Sequence, residues 1–169
     1  MPSVVLLRGI NLGAKNKVDM KSLKALFMEM GYENVQTYIQ TGNVLVEQSV
    51  IDADAPSIEA ALRESYGFEI PVAVRSKEEL AEIVQLPIFS KEQVYVMFLV
   101  QEISEEQQEM LSSLIDDEFV VWNKQNVIIN LSKNYHQTKF TNAFFERKLG
   151  IPSTARNKNT VIKILGKLS

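Results

Sequence analysis

The sequence predicts an α+β protein of two similar halves, each with the element order β-α-β-β-α-β followed by one extra helix. Three observations predict this fold class. Short β-branched stretches alternate with segments of helical periodicity, and the order of these elements repeats after residue 87. In addition, an Ile-Pro pair precedes an arginine at the same spacing in residues 70–75 and 151–156. The order is that of the ferredoxin-like fold, so we expect a tandem duplication with antiparallel sheets and modules at residues 1–87 and 88–169.

The first half opens with a predicted strand at residues 3–8, whose apolar stretch includes the β-branched Val4 and Val5. A loop rich in Gly, Asn and Lys follows. Asp19 is a natural N-cap for the next helix, because apolar residues recur at helical spacing from Met20 to Met30. Gly31 suits the end of that helix.

A hairpin turn at residues 40–43 joins the next two predicted strands, since Gly42-Asn43 is a turn signal between apolar runs. Pro56 favours the first turn of a second helix, and Ser76 with Glu79 forms a capping box for a third. The remaining strands of this half are predicted at residues 35–39, 44–47 and 72–75.

The second half repeats this pattern. Ser104 with Gln107 caps one helix, Thr141 caps another that ends at Gly150, and residues 123–126 form the hairpin turn. The predicted strands are residues 94–100, 119–122, 127–131 and 153–156, and a closing helix covers 159–168.

The predicted topology brings separate loops together. In each module, the loop after the first strand and the hairpin between the second and third strands emerge at one end of the sheet. The loop after the third strand and the end of the fourth strand emerge at the opposite end.

Composition excludes several functional classes. The chain has 169 residues, of which 46% are hydrophobic and 23% charged, with no cysteine and one histidine, His136. Disulfide scaffolds, thiolate zinc sites, iron–sulfur clusters and cysteine nucleophiles are therefore excluded, and no metal site is expected. No signal peptide or membrane span is recognisable, so a cytoplasmic location and no membrane partner are expected.

Charge is unevenly distributed along the chain, although the net charge is only −3. Five basic groups and one acidic group lie in residues 1–24, and nine basic groups accompany Glu146 alone in residues 123–169. The long middle segment is strongly acidic. This distribution favours a basic surface for an anionic partner, and the alternative is that the basic ends simply balance acidic, solvated helices.

The first candidate site combines the loop after the first strand with the first hairpin. Glycine-bearing loops before a helix present backbone N–H groups to anions, and arginine binds phosphate or carboxylate in a bidentate manner. The spacing is not that of a P-loop, and no dinucleotide fingerprint is present. The alternative is that the glycines only allow tight turns and Asn side chains cap the backbone. The candidate ligand-binding residues are Arg8, Gly9, Asn11, Gly13, Lys15, Lys17, Thr41 and Asn43.

The second candidate site lies at one end of the second module. The predicted topology places the loop at residues 132–139 near the end of the last strand, which gathers several cations with a tyrosine and His136. The candidate residues are Lys139, Arg156, Asn157 and Asn159. Alternatively, the Asn side chains cap turns, the lysines are solvated, and His136 is an ordinary surface residue.

RNA binding through the sheet surface is not favoured. That mode places aromatic residues on the central strands, and residues 44–46 and 127–129 contain none. Residues 94–100 are apolar on both faces, so both faces of that sheet are expected to be covered.

Several longer motifs resemble those of one family, the bacterial domain of unknown function 1697 family. The motifs are Leu6-Leu7-Arg8-Gly9-Ile10-Asn11-Leu12-Gly13, the following Lys15-Asn16-Lys17, Tyr38-Ile39-Gln40-Thr41-Gly42-Asn43-Val44, Lys139-Phe140-Thr141-Asn142, Glu146-Arg147-Lys148-Leu149-Gly150 and Thr154-Ala155-Arg156-Asn157-Lys158-Asn159-Thr160-Val161. The resemblance spans essentially the whole chain. It implies a duplicated ferredoxin-like architecture and implies no activity. Ala14 and Lys158 depart from the family pattern, which often has glycine and an aromatic residue there.

Three functions remain open at this point. The first is binding of a small phosphorylated or nucleotide-like anion at the first site. The second is an enzyme acting on a phosphoester or acyl substrate through His136, Lys139 and Arg156. The third is an interaction module for RNA or an acidic protein. The sequence defines no cofactor and no oligomeric state.

Overall fold

The computed structural model describes residues 2–168 and has an α+β fold with two four-stranded antiparallel sheets. The strands are β1 (Ser3–Leu7), β2 (Gln36–Tyr38), β3 (Asn43–Val46), β4 (Val72–Ser76), β5 (Val94–Leu99), β6 (Glu118–Trp122), β7 (Asn126–Asn130) and β8 (Ser153–Asn157). The helices are α1 (Met20–Glu29), α2 (Ala55–Tyr66), α3 (Lys77–Gln85), α4 (Glu105–Leu114), α5 (Asn142–Leu149) and α6 (Lys158–Lys167).

The chain divides into two compact units. The first comprises residues 1–80 and 163–169, and the second comprises residues 81–162. Helices α3 and α6 therefore each contribute residues to both units. The predicted module boundary between residues 87 and 88 stays a prediction.

The sheet of the first unit has the strand order β2-β3-β1-β4, and every neighbouring pair is antiparallel. One face of this sheet, which includes Val5 and Leu7 of β1, packs in a core with Leu23 and Phe27 of α1 and Leu62 of α2. The helical periodicity of those apolar residues thus buries one stripe of each helix against the sheet.

The second unit has the equivalent order β6-β7-β5-β8, again entirely antiparallel. Its core joins Met97 and Leu99 of β5 to Leu111 of α4 and Phe145 of α5. Residues of β5 on both faces are buried, as its continuous apolar sequence predicts.

The two halves share backbone hydrogen bonds at equivalent places. Leu7 donates to the carbonyl of Gly42 at 2.8 Å, and Leu99 donates to the carbonyl of Gln125 at 2.9 Å. The residue after each of these leucines donates to a proline carbonyl, that of Pro71 or Pro152. The prediction of an α+β chain with two similar halves is confirmed.

Local sequence signals account for most helix ends. The Asp19 carboxylate accepts from the backbone of Ser22 at 2.9 Å, and Ser104 with Gln107 forms the predicted capping box. Thr141 differs, because its side chain makes no capping hydrogen bond. Short 3₁₀ turns at Asp52–Asp54 and Pro87–Ser90 were not predicted.

Candidate functional site

The loop between β1 and α1 follows a sequence of turns that few residue types can form. Gly9, Asn11, Gly13 and Asn16 all have φ between 54° and 71°. Glycine and asparagine occupy this left-handed region at the least energetic cost. A bridge between Leu12 and Lys15 closes the exposed tip of the loop.

The side chain of Asn11 ties this loop to the β2–β3 hairpin. Its Nδ2 donates to the carbonyls of Val18 at 3.0 Å and Gln40 at 2.9 Å, and its Oδ1 accepts from the Val18 backbone at 2.8 Å. Asn16 adds a further bond from Nδ2 to the Gly9 carbonyl at 3.1 Å. The loop is therefore held by side-chain amides at both of its ends.

Gly42 makes the close packing between loop and hairpin possible. Its φ is 92°, and a Cβ added there would lie 2.7 Å from Cδ1 of Ile10 and 2.9 Å from Cβ of Leu7. Only a residue without a Cβ permits this approach without displacement of its neighbours.

The predicted ligand residues of the hairpin have different environments. Thr41 is exposed, whereas Asn43 is fully buried. The Asn43 Nδ2 donates to the Tyr38 carbonyl at 2.8 Å and to the Thr41 hydroxyl at 3.1 Å. Asn126 is buried at the matching place of the second hairpin and donates to the Trp122 carbonyl at 3.0 Å. Asn43 thus has a structural role in its turn.

Positive charge remains accessible on this loop. Lys15 and Lys17 are exposed, and within residues 2–168 neither ammonium group has an ion-pair partner. Arg8, the predicted bidentate residue, is half-buried at the base of the loop. The lysines therefore supply the accessible charge at the loop tip.

An open cavity of about 440 Å³ lies where the loop meets the hairpin. Its lining residues are Asn11, Lys17, Val18, Asp19 and Gln40. The carboxylate of Asp19 already caps α1, so the helix N-terminus on this side carries a negative charge. The cavity thus combines one cation, one anion and the neutral amides of Asn11 and Gln40.

The second candidate site also mixes charges. A cavity of about 190 Å³ is lined by Lys133 and Lys139 together with Asp116 and Asp117. The Asp117 carboxylate accepts from the backbone of Ser132 at 3.2 Å. The lysines predicted to attract an anion thus share their cavity with two carboxylates.

Arg156 is not presented to solvent. It is buried in β8, and its guanidinium donates to the Thr154 hydroxyl at 2.6 Å and to the Ala155 carbonyl at 2.9 Å. Burial lowers its pKa to about 10, so it stays charged at neutral pH. Arg156 does not line the cavity that holds Lys139.

The other predicted residues of this cluster are simpler. Asn157 caps α6, because its Oδ1 accepts from the backbone of Thr160 at 2.9 Å, while Asn159 is exposed. His136 is also exposed, and its backbone N–H donates to Asn134. Roles for Lys139, Asn157 and Asn159 in ligand binding stay predictions.

Within residues 2–168 the structure contains neither a cluster of metal-ligating side chains nor a helix that could cross a membrane. Within residues 2–168 no three or more Asp, Glu or His side chains are grouped so that they could hold a metal ion. In the same range, each helix is too short or too polar to cross a bilayer.

Comparison with known proteins identifies the family. A family model described as a protein of unknown function (DUF1697) matches residues 1–128. The chain belongs to this family. The resemblance predicted from the sequence motifs is confirmed over residues 1–128, and the motifs at residues 139–161 lie beyond the matched range.

A solved structure also resembles this DUF1697 member. The conserved bacterial protein SP0830 from Streptococcus pneumoniae is 24% identical, with a TM-score of 0.73 over 99% of this chain and 98% of that chain. At this identity the likeness shows the fold alone. No curated protein matches the chain.

Two exposed aliphatic residues of this DUF1697 chain, which sequence reasoning did not select, flank the first site. Leu12 at the loop tip is 63% exposed, and Ile39 in the hairpin is 43% exposed. Ile39 also has φ of 50°, which is unfavourable for a β-branched residue. No sequence signal marks either residue as exposed. In the sequence, Ile39 is predicted to be the last residue of an apolar strand.

Proposed function

We propose that the protein is a binding module whose first unit holds an anionic group beside the loop at residues 8–18. The observation that carries this proposal is the bracing by Asn11 of a loop that bears the exposed Lys15 and Lys17, of which Lys17 lines an open cavity. A site that is rigid before binding loses less conformational entropy when the ligand arrives.

Charge supports the same site. Lys21 and Lys24 of α1 are also exposed, and they add to the positive charge of the lysines in the loop. In water, unpaired surface cations attract anions over roughly one Debye length, about 8 Å at physiological ionic strength. The exposed side-chain amide of Gln40, which lines the cavity, then supplies direction to hydrogen bonds with the ligand.

The second cluster supports an enzyme less well. Its two lysines share a cavity with Asp116 and Asp117, which weakens the attraction for a phosphoester or an acyl carboxylate. The predicted cation Arg156 is engaged with Thr154 and Ala155. We therefore place the binding function on the first unit.

The same proposal includes the architecture that carries the site. The two strand orders and the paired hydrogen bonds of the halves support a duplicated ferredoxin-like module. The connection between β1 and α1 is longer than the connection between β5 and α4. Under this proposal the longer loop of the first unit provides the binding site. A cytoplasmic location stays a prediction.

The test uses anions as probes. Unfolding temperatures of the wild type, the double variant Lys15→Gln/Lys17→Gln and the control Lys148→Gln are measured with pyrophosphate, ATP, citrate and hexaglutamate. A probe at a hundred times its dissociation constant stabilises by about 2.7 kcal/mol, which is a shift of about 5–10 °C at this chain length.

We expect at least one probe to shift the wild type and the control but not the double variant. The shift should also decrease at high salt, because it depends on ionic contacts. If no probe shifts the wild type, or if the double variant responds equally, the loop does not bind anions and the proposal is wrong.

A further inference from the structure

The exposed aliphatic residues Leu12 and Ile39 each adjoin, along the chain, one side of the contact between the loop and the hairpin. Leu12 follows Asn11 in the loop, and Ile39 precedes Gln40 in the hairpin. Since the Asn11 side chain bonds to the Gln40 carbonyl at 2.9 Å, each aliphatic residue is next to one partner of that contact. Lys15 and Lys17 lie in the same loop. We call Leu12, Lys15, Lys17 and Ile39 the loop–hairpin surface.

The conformation of Ile39 indicates that its side chain serves a purpose other than folding. A β-branched residue at φ of 50° is strained, and asparagine or glycine would occupy this place more cheaply. The equivalent turn of the second unit uses Asn123 and Lys124 at positive φ. Moreover, Ile39 is 43% exposed, so the side chain adds only part of its area to the core. Such strain is typical of positions that bind.

We infer that the loop–hairpin surface binds an acidic segment of a protein partner that also carries aliphatic side chains. This inference rests on the proposed anion binding and names its partner class. Carboxylates of the segment pair with Lys15 and Lys17, while its aliphatic side chains cover Leu12 and Ile39. Charge complementarity and burial of exposed apolar area thus act together.

The chemistry of this surface favours a peptide over nucleic acid. Recognition of single-stranded nucleic acid depends on aromatic side chains that stack on bases, and residues 8–19 and 39–42 contain no aromatic residue. The neighbouring Tyr38 is half-buried, with the Lys167 ammonium 5.3 Å from its ring centre.

The experiment selects binders from a random dodecapeptide phage library on the full-length protein. A fluorescent copy of the best peptide is then titrated with the wild type, Leu12→Ser, Ile39→Asn and Lys15→Gln/Lys17→Gln. The matched control is Ile51→Asn, since Ile51 is 58% exposed in the same unit but lies outside this surface. A dodecamer of uridine RNA is titrated in parallel.

We expect selected peptides rich in Asp, Glu, Leu and Ile, and affinity losses of about tenfold or more for each change in the surface. Ile39→Asn should at the same time raise the unfolding temperature by about 2–4 °C, because it removes strain. Weaker binding by a more stable variant cannot result from damage to the fold. Ile51→Asn should bind as the wild type does.

Other outcomes overturn the inference. The inference is wrong if the selected peptides are basic or aromatic, or if they are not enriched relative to a selection on the Lys15→Gln/Lys17→Gln variant. It is also wrong if the RNA binds more tightly than the best peptide, or if Ile39→Asn binds that peptide with the wild-type affinity. If the anions of the preceding test still bind through the two lysines, the proposed function stands and only the partner class fails. If neither anions nor peptides bind, both fail.

Discussion

The side-chain amide of Asn11 donates a hydrogen bond to the backbone carbonyl of Gln40 across 2.9 Å, and so joins two turns 29 residues apart. The same side chain both donates to and accepts from Val18. Asn11 also has φ of 54°, a conformation that asparagine tolerates better than most residues. One residue therefore fixes the loop backbone and its attachment to the hairpin.

Replacing Asn11 should separate these two contributions. Asn11→Ala removes the side-chain hydrogen bonds of Asn11 to Val18 and Gln40 and introduces strain at positive φ, so we expect it to destabilise the protein by about 3 kcal/mol. Asn11→Gly removes the same bonds without the strain, and a loss of about 1–2 kcal/mol is expected. Urea unfolding of both variants measures the difference. Equal losses would show that the backbone conformation contributes nothing.

Gly42 should be the least tolerant position of the first hairpin. Gly42→Ala places a methyl group against Ile10 and Leu7 at distances well below van der Waals contact, and it does so at φ of 92°. Overpacking and strain together should destabilise the protein by about 3 kcal/mol.

The control for this variant is Gly67→Ala. Gly67 also has positive φ, at 81°, but an added Cβ there would meet no atom within 4 Å. We expect a loss of only about 1–2 kcal/mol from conformation alone. Similar losses in the two variants, measured by urea unfolding, would contradict the proposed close packing at Gly42.

Most of the fold is predictable from the sequence because its signals are local. Asp19 caps α1, Ser104 with Gln107 caps α4, and the alternating apolar stretches become the strands within one or two residues. The meeting of the first loop with the first hairpin also follows from element order alone, since the split β-α-β connection leaves both at one end of a sheet.

The chemistry of individual side chains was less predictable, because it depends on which face of a strand is covered. Arg156 looks like a ligand-binding cation in the sequence but lies buried, as does Asn43. Sequence spacing also gave no sign that Asp116 and Asp117 join Lys133 and Lys139. Whether a polar side chain is buried or faces a cavity depends on tertiary contacts, and local sequence patterns do not reveal those contacts.

Arg75 is the counterpart of Arg156 in the first unit. Both are buried in the last strand of their sheet, and each donates to the carbonyl of the preceding residue, at 2.7 Å in Arg75 and 2.9 Å in Arg156. Burial lowers the pKa of Arg75 to about 10, and Glu79 nearby partly opposes that shift. Both cations remain charged at neutral pH, so their burial requires the hydrogen bonds they make.

Arg75→Lys should therefore make stability depend on pH. Burial depresses the pKa of the introduced ammonium below its unfolded value of about 10.4, so the unfolded chain binds the proton more strongly. Relative to the wild type, the free energy of unfolding of this variant should rise from pH 7 to pH 10. Arg75→Met carries no charge there and should show no such rise. A flat difference between Arg75→Lys and Arg75→Met would contradict the burial of the charge.

Tyr135 gives a prediction about pH for the second unit, in which stability falls as the pH rises. Its hydroxyl accepts from the backbone of Asn142 at 2.9 Å, at the start of α5 where Thr141 provides no side-chain cap. Its ring lies against Tyr95, with centres 4.7 Å apart. Burial raises the pKa of Tyr135 above its ordinary value of 10, and the bond from Asn142 only partly opposes this.

Because the folded pKa of Tyr135 exceeds the unfolded one, its contribution to stability is complete below about pH 10 and is lost as the pH rises through the folded value. Tyr135→Phe removes the hydrogen bond and the ionisation together. We expect it to destabilise the protein by about 1 kcal/mol at pH 7 and to lessen the decline in stability above pH 10. Urea unfolding at pH 7, 10 and 11 tests both effects. An unchanged decline in Tyr135→Phe would mean that other groups cause the alkaline instability.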